Sequence, residues 1–159
     1  MAILTRLLPN DTNAVILALN NAHAQELSLL DAAKLSAMIG NAFHAVRAGD
    51  ADAFMIAFDQ DGDYDSPNFL WFRERYERFV YVDRIVVDPA ARGRGLARAL
   101  YANLFERARV AGHERVVCEV NAEPPNPASD AFHAAMGFAE VGSATLGGGK
   151  QVRYFERLL

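Results

Sequence analysis

Residues 85–97 read IVVDPAARGRGLA and carry the most informative pattern in the chain. An apolar strand stops before Pro89, because proline cannot continue a central ladder, and a loop rich in arginine and glycine leads into a helical pattern. The unpaired N–H groups and partial positive charge at a helix start suit a phosphate or pyrophosphate, which glycine allows the backbone to approach closely. Arg92 and Arg94 add positive charge beside the loop. The stretch predicts a strand, a phosphate-binding loop and a helix, in that order.

The pattern on either side of this stretch alternates between strand and helix. Strands are predicted at 2–8, 43–46, 54–58, 79–87 and 116–120, with a hairpin over 138–159 that turns at three glycines, 147–149. Helices are predicted from Asn10 or Asp11 to 20, from Ser28 to Gly40, over 93–111 and over 129–136. Residues 59–76 are less regular. These elements predict a mixed α/β sheet.

Length and composition limit the classes of protein to which the chain can belong. Its 159 residues are expected to form one domain, 1–159, and 52% hydrophobic and 23% charged residues are ordinary for a globular fold. A net charge of −4 argues against a nucleic-acid or membrane-surface partner. The sequence has no secretion-signal pattern, no apolar run of about 18 residues and no metal-binding Cys/His spacing. A cytoplasmic protein without a metal is the expectation.

Two better-known phosphate-binding motifs are not matched. The dinucleotide fingerprint G-x-G-x-x-G begins at Gly93 and Gly95, but Arg98 takes the place of its third glycine. The glycine-lysine run 147–150 is not a P-loop, because Gln151 follows where serine or threonine is required.

A second block lies at the next predicted helix, and with it the chain resembles the GNAT (GCN5-related) N-acetyltransferase superfamily. The family's loop motif, R/Q-x-x-G-x-G/A, is matched by Arg92, Gly95 and Ala97. Its second motif, approximately N-x-x-A-x-x-L-Y-x-x-x-G-F, is matched at Asn126, Ser129 (as the small residue), Phe132, Gly137 and Phe138. The two blocks in this order make the resemblance convincing over 80–138; before residue 80 it is only architectural.

The resemblance implies a GNAT-like domain whose sheet is mixed, mostly antiparallel and flanked by helices. It also implies transfer of an acetyl or longer acyl group from acetyl-CoA to a primary amine, by direct attack in a ternary complex. A bulge in the strand before the loop would let the backbones of Ile85, Val86 and Val87 hold the pantetheine arm and the thioester carbonyl. The other implied contacts with coenzyme A are Arg92, Gly93, Arg94, Gly95, Leu96, Ala97, Asn126, Ser129 and Phe132. Asn126 precedes a proline and could equally serve only to form a turn.

The implied chemistry requires a base, because most of an amine acceptor is protonated at pH 7. Asp83 and Glu119 are the candidates. Alternation along the strand places Asp83 on the same face as Ile85 and Val87, toward the substrate. Either carboxylate could instead pair with a neighbouring arginine such as Arg84.

His133 departs from the family motif, in which many relatives have a tyrosine that can protonate the departing thiolate. A charged histidine could donate the same proton. Alternatively, His133 is a bystander and the thiolate takes its proton from water. Cys118 lies inside an apolar strand and is expected to be an inert thiol rather than an acyl carrier.

The acceptor side is expected to involve the first half of the chain. The acidic run 59–65 lacks EF-hand spacing and is either a solvated loop or a negative rim that attracts a cationic amine. The aromatic run 69–72 favours core packing or a homodimer contact, although it could also wall the acceptor pocket. His23 and Glu26, between the first two predicted helices, are either acceptor contacts or surface residues.

Two other functions compete with acyl transfer. One is a coenzyme A-binding sensor or regulatory module without turnover, and the other is a phosphate-ligand-binding α/β domain without acyl chemistry. Binding of coenzyme A distinguishes the second from acyl transfer. Release of free thiol in the presence of amines distinguishes the first.

Overall fold

The computed structural model describes residues 3–11, 13–23 and 27–159. Its helices and strands, in chain order, are β1 (Leu4–Arg6), α1 (Ala14–Ala22), α2 (Ala32–Asn41), β2 (His44–Ala48), β3 (Ala53–Asp59), α3 (Pro67–Arg73), β4 (Val80–Val87), α4 (Leu96–Val110), β5 (Arg115–Asn121), α5 (Pro127–Ala135), β6 (Ala139–Thr145) and β7 (Gln151–Leu158).

The described strands form a seven-stranded sheet in the order β1-β2-β3-β4-β5-β7-β6. Neighbouring strands run antiparallel except β4 and β5, which are parallel and are joined by the crossover helix α4. The last two strands form the predicted hairpin, and β7 lies between β5 and β6. The predicted mixed, mostly antiparallel sheet flanked by helices is confirmed.

Helix α4 covers one face of the sheet. Leu96, Leu100 and Leu104 recur every four residues and are all buried in the core beneath it, as the predicted stripe requires. Gly112 follows the helix with a φ of 84°, a conformation that ends a helix and favours glycine. The helix therefore begins and ends close to the predicted positions.

The opposite face of the sheet is covered by the first three helices, of which α3 was not predicted. The expectation of irregular structure over 59–76 is wrong for this part of the chain. Pro67 lies in the first helical turn, where its missing N–H is not needed, and Phe69 and Phe72 are completely buried. A helix of seven residues is not stable on its local propensity alone, so burial against the sheet stabilises it. Phe69 and Phe72 of the aromatic run therefore pack in the core, which is one of the two roles favoured for it.

Strands β4 and β5 diverge soon after they pair. Their ladder joins Val80 to Val116 and Tyr81 to Val117. Strand β4 nevertheless stays paired with β3 as far as Val87. On the β5 side, the backbone groups of residues 82–87 therefore have no ladder partner in the described sheet, and a gap opens between two central strands.

The bulge expected in the strand before the loop is present and lies at Asp83. Val82 and Arg84 oppose consecutive residues of β3, so Asp83 has no counterpart there. An extra residue in one strand interrupts the alternation of side chains between the two faces. The bulge therefore changes which groups the strand presents to the gap.

The starts of the first two helices differ from the prediction. Helix α1 begins at Ala14, with Asn13 rather than Asn10 or Asp11 before it. Helix α2 is capped by Asp31, whose carboxylate accepts a hydrogen bond from the backbone N–H of Lys34 at 2.8 Å. Ser28 does not cap this helix. Its hydroxyl instead lies 3.3 Å from an Arg84 nitrogen.

The Asp31 cap gives a test of helix α2. Asp31→Ala is expected to lower the free energy of unfolding by about 1 kcal/mol, because the Lys34 N–H loses its acceptor. Asp31→Asn keeps an acceptor and should stay within a few tenths of a kcal/mol of the wild type. Urea unfolding measures both variants, and an equal loss in the two would contradict the capping role.

Candidate active site

A cavity of about 550 Å³ opens where β4 and β5 diverge. Its walls come from these two strands, the loop after β5, and helices α4 and α5. It collects many of the residues predicted from sequence: Asp83, Ile85, Glu119, Asn126, Ser129 and His133. Residues far apart in the chain thus meet at the gap in the sheet.

Glu119 on β5 has the properties of a base in this cavity. The Tyr81 hydroxyl donates to its carboxylate at 2.7 Å. Burial, and then the negative charge of Asp83, raise the pKa of Glu119 to about 7, against the lowering effect of the Tyr81 hydrogen bond and the Lys150 charge. A carboxyl group with this pKa is partly ionised at neutral pH and matched to proton transfer there.

Asp83, the other predicted base, is already engaged. Its carboxylate accepts hydrogen bonds from the Tyr64 hydroxyl at 2.5 Å and from Arg84 Nε at 2.7 Å, and only 5% of its side chain is exposed. The pairing with Arg84 was the alternative interpretation of this residue. Two donors and an opposite charge thus already occupy the Asp83 carboxylate.

The prediction that Asp83 shares a face with Ile85 and Val87 is wrong. Those two side chains pack against the core under α4, whereas Asp83 bonds to Tyr64, which packs against the core on the other side of the sheet. The bulge at Asp83 is the physical reason, because it breaks the alternation on which the prediction depended.

Arg84 ties the segment between α1 and α2 to the bulge. Its guanidinium is buried, and one terminal nitrogen donates to Asn20 Oδ1 at 2.8 Å while the other lies 3.3 Å from Ser28 Oγ. The pair with Asp83 compensates the buried charge. Sequence analysis did not find this network, because Arg84 and Asn20 are 64 positions apart and no local pattern connects them.

His133 lies on α5 with a defined ring orientation. Its Nδ1 is 2.7 Å from the carbonyl oxygen of Ser129, and since a carbonyl can only accept, Nδ1 carries a hydrogen. The ring stacks on Phe155 at 6.0 Å between centroids. This arrangement leaves Nε2 as the ring nitrogen available for chemistry.

Tyr101 of α4 lines the same cavity and was missed by sequence analysis. Burial, and then the nearby Cys118 and Glu119, raise the pKa of its hydroxyl well above the usual range, so it keeps its proton at neutral pH. Its ring centroid is 6.4 Å from that of His133. In sequence Tyr101 follows the apolar stripe of α4 and resembles any core residue, so no signal distinguished it.

The glycine loop before α4 has the geometry of an anion site. Gly95 caps the helix at φ 72° and Gly93 has φ 81°, and a Cβ at either position would meet no atom within 4 Å. Arg92 is exposed and lines a small cavity of about 150 Å³ with residues 85–87. Arg94 is also exposed but pairs with Asp52 at 3.2 Å. Open space, unpaired helix N–H groups and positive charge thus coincide, which fits a coenzyme A diphosphate.

The other residues of the two motifs lie at the start of α4 and at the start of, or within, α5. Leu96 is buried, so any ligand contact must come from its backbone, and the next residue, Ala97, is partly buried. Asn126 caps α5 by accepting from the Ser129 N–H at 3.1 Å, which is the turn role that sequence analysis left open. Phe132 packs against Tyr101, with ring centroids 5.8 Å apart.

The structure also bears on the predictions made for His23 and Cys118. His23 lines the small cavity beside Arg92, whereas Glu26 lies outside the described residues. Burial raises the pKa of the Cys118 thiol well above its usual value, which opposes a role as acyl carrier.

No cluster of His, Cys, Asp and Glu in the described parts of the chain could hold a metal ion. Among the helices of those same parts, none has the length and apolarity to cross a membrane.

The fold of this chain is similar to the folds of several solved proteins. A GNAT-family protein from Desulfovibrio desulfuricans has a TM-score of 0.74 at 14% identity, with 99% of each chain covered. The ribosomal-protein-alanine N-acetyltransferase of Brucella melitensis has 0.71 at 21%, again covering 99% of each chain. The yncA protein of Salmonella typhimurium, solved with acetyl-CoA, has 0.71 at 19%, covering 100% of this chain and 94% of that one. These likenesses show a shared fold.

Sequence comparison identifies the family. No curated protein matches the chain in sequence. The family model described as Acetyltransferase (GNAT) family matches residues 53–138, more than half of the chain. That region contains the glycine loop and also the diverging strands, the crossover helix and α5, which supply most of the cavity lining. The chain belongs to the acetyltransferase (GNAT) family, whose members are acetyl-CoA-dependent N-acetyltransferases.

Proposed function

We propose that this protein transfers an acetyl group from acetyl-CoA to a primary amine by direct attack in a ternary complex. The observation that carries the proposal is Glu119, a carboxyl group with a pKa of about 7, in a cavity at the free edge of β4. A base with this pKa is what an ammonium acceptor requires at neutral pH.

The donor half of the site is assigned to β4, the glycine loop and α4. The first N–H groups of α4 and the Arg92 guanidinium would hold the diphosphate. The unpaired backbone of residues 85–87 would bind the pantetheine arm in the manner of an added strand. Bound there, acetyl-CoA supplies an activated acyl group as a thioester.

The acceptor half is assigned to Glu119 and the segment anchored by Arg84. Glu119 accepts the ammonium proton, directly or through water, and leaves a neutral nucleophile. Backbone N–H groups freed by the bulge at Asp83 donate to the carbonyl oxygen as its negative charge grows. Arg84 acts as a positioning residue, because it holds the segment after α1 against the bulge.

His133 and Tyr101 both line the cavity, and either could protonate the leaving sulfur. We assign this role to the charged form of His133, in which Nδ1–H is bonded to the Ser129 carbonyl and Nε2–H donates the proton. His133→Ala is then expected to lower kcat by up to about a hundredfold and to alter the pH–rate profile. Tyr101→Phe is the comparison. An unchanged profile in His133→Ala, together with a large loss in Tyr101→Phe, would assign the proton to the tyrosine.

The overall proposal is tested with two measurements on the same protein. Calorimetry measures coenzyme A binding, and release of free thiol from acetyl-CoA is followed with a panel of primary amines. Binding with amine-dependent thiol release supports an N-acetyltransferase. Binding without release by any amine would favour the sensor or regulatory module. Absence of binding would overturn both.

A further inference from the structure

Lys150 lies at the mouth of the cavity that contains Glu119. It follows the three glycines of the turn between β6 and β7, of which Gly148 and Gly149 have φ values of 80° and 82°. The Leu146 N–H donates to the Lys150 carbonyl at 2.7 Å and closes this turn. A hydrogen-bonded turn, rather than a loose loop, therefore presents the lysine to the site.

The charge of Lys150 acts on the site, although the side chain has no partner of its own. Its positive charge is among the influences that lower the pKa of Glu119. The side chain is exposed, and its ammonium forms no hydrogen bond or ion pair with the residues that the structure describes. A primary amine thus lies within electrostatic reach of the base and is not held elsewhere.

We propose that Lys150 is itself an acyl acceptor, so that the protein acetylates its own Lys150 side chain. The inference rests on the proposed function, since it uses the same base and the same donor. Glu119 takes a proton from the ammonium, and the neutral Nζ forms a bond to the thioester carbonyl carbon. The carbon–sulfur bond breaks, the nitrogen releases its second proton to water, and the departing thiolate takes a proton from His133. The products are N-acetyl-lysine and free coenzyme A.

The sequence contains an internal control for this reaction. Lys34 and Lys150 are its only lysines. Lys34 is also exposed but lies in the first turn of α2, where it lines a different cavity beside Tyr64 and Asp65. Non-specific chemical acetylation should modify both lysines, whereas catalysis at the cavity should modify Lys150 alone.

Acetylation of Lys150 would also change the base. A neighbouring positive charge favours the ionised carboxylate, so its removal raises the pKa of Glu119 and lowers the ionised fraction at neutral pH. The other titratable groups around Glu119 are Tyr81, Asp83, Tyr101, Cys118 and Tyr154. The modified protein should therefore need a higher pH for the same rate with an external amine.

The experiment incubates the purified protein with acetyl-CoA and no added amine. Intact mass and peptide mapping are recorded before and after incubation. We expect one acetyl group, on Lys150, in the wild type and in Lys34→Arg, and none in Lys150→Arg. The first-order rate constant should not depend on protein concentration, because amine and base belong to one molecule. Glu119→Gln should slow the reaction at least about tenfold.

The experiment distinguishes failure of self-acetylation from failure of the proposed function. If Lys150 stays unmodified, or is acetylated no faster than Lys34, while thiol release with external amines proceeds, self-acetylation is wrong and the proposed function stands. If neither coenzyme A binding nor thiol release is observed, the proposed function fails, and self-acetylation fails with it.

Discussion

Replacing Glu119 with glutamine is expected to lower kcat for any primary amine by about a hundredfold or more, the usual contribution of a general base. Glutamine keeps the shape of the side chain and can still accept from the Tyr81 hydroxyl, so the loss isolates proton transfer. Because the carboxyl group acts as a base only when ionised, the wild-type rate should rise as pH increases through about 7. The variant should lack this limb of the pH–rate profile.

A matched control and a stability measurement separate catalysis from folding. Glu114→Gln removes the charge of a side chain that is 76% exposed just before β5, and it should leave kcat and the profile unchanged. Burial raises the pKa of Glu119 above its ordinary 4.5, so ionisation favours the unfolded state and costs stability as pH rises toward 7. Glutamine avoids this cost, and the variant should be at least as stable as the wild type at pH 8. Full activity in Glu119→Gln would contradict its role as the base.

Gly95→Glu is expected to weaken coenzyme A binding by at least about thirtyfold, or ~2 kcal/mol. The substitution places a carboxylate at the start of α4, where the N–H groups would otherwise meet the diphosphate. Since a Cβ at this position meets no protein atom within 4 Å, the new side chain enters the space assigned to the ligand. Calorimetry with coenzyme A measures the loss.

Gly148→Glu supplies the control for this variant. Gly148 also has a positive φ, 80°, and open space around its Cβ, so the two substitutions share the same backbone strain and the same added charge. Gly148 lies in the turn before Lys150, outside the glycine loop and helix α4 to which the diphosphate is assigned, so its replacement should leave coenzyme A affinity near that of the wild type. Equal losses in the two variants would show that strain, rather than the helix start, explains the effect.

The two candidate bases illustrate how far sequence reasoning reached. Residue type and strand position were enough to nominate Asp83 and Glu119. They could not decide between them, because the decision depends on their partners. Asp83 is held by Tyr64 and Arg84, whereas Glu119 receives one side-chain hydrogen bond in a partly buried position. A bulge, which alternation cannot anticipate, changed the face of Asp83.

Helix α3 and the position of Tyr101 are two further features that local sequence patterns could not predict. The sequence of Pro67–Arg73 has no helical stripe, and its helix exists because Phe69 and Phe72 are buried against the sheet. Tyr101 does lie in a strongly helical pattern, but the pattern says only that the residue is buried. Its contact with the cavity follows from where α4 crosses the diverging strands.

By itself, the sequence determined the strand, glycine loop and helix around residues 85–97, the order of most elements and the family, because these features depend on residues close together in the chain. Only the tertiary structure decided which carboxyl group has its pKa raised by burial, that Tyr101 lines the cavity, and that Lys150 and Glu119 line the same cavity. Those properties arise from contacts between elements distant in sequence, and burial and charge act through space rather than along the chain.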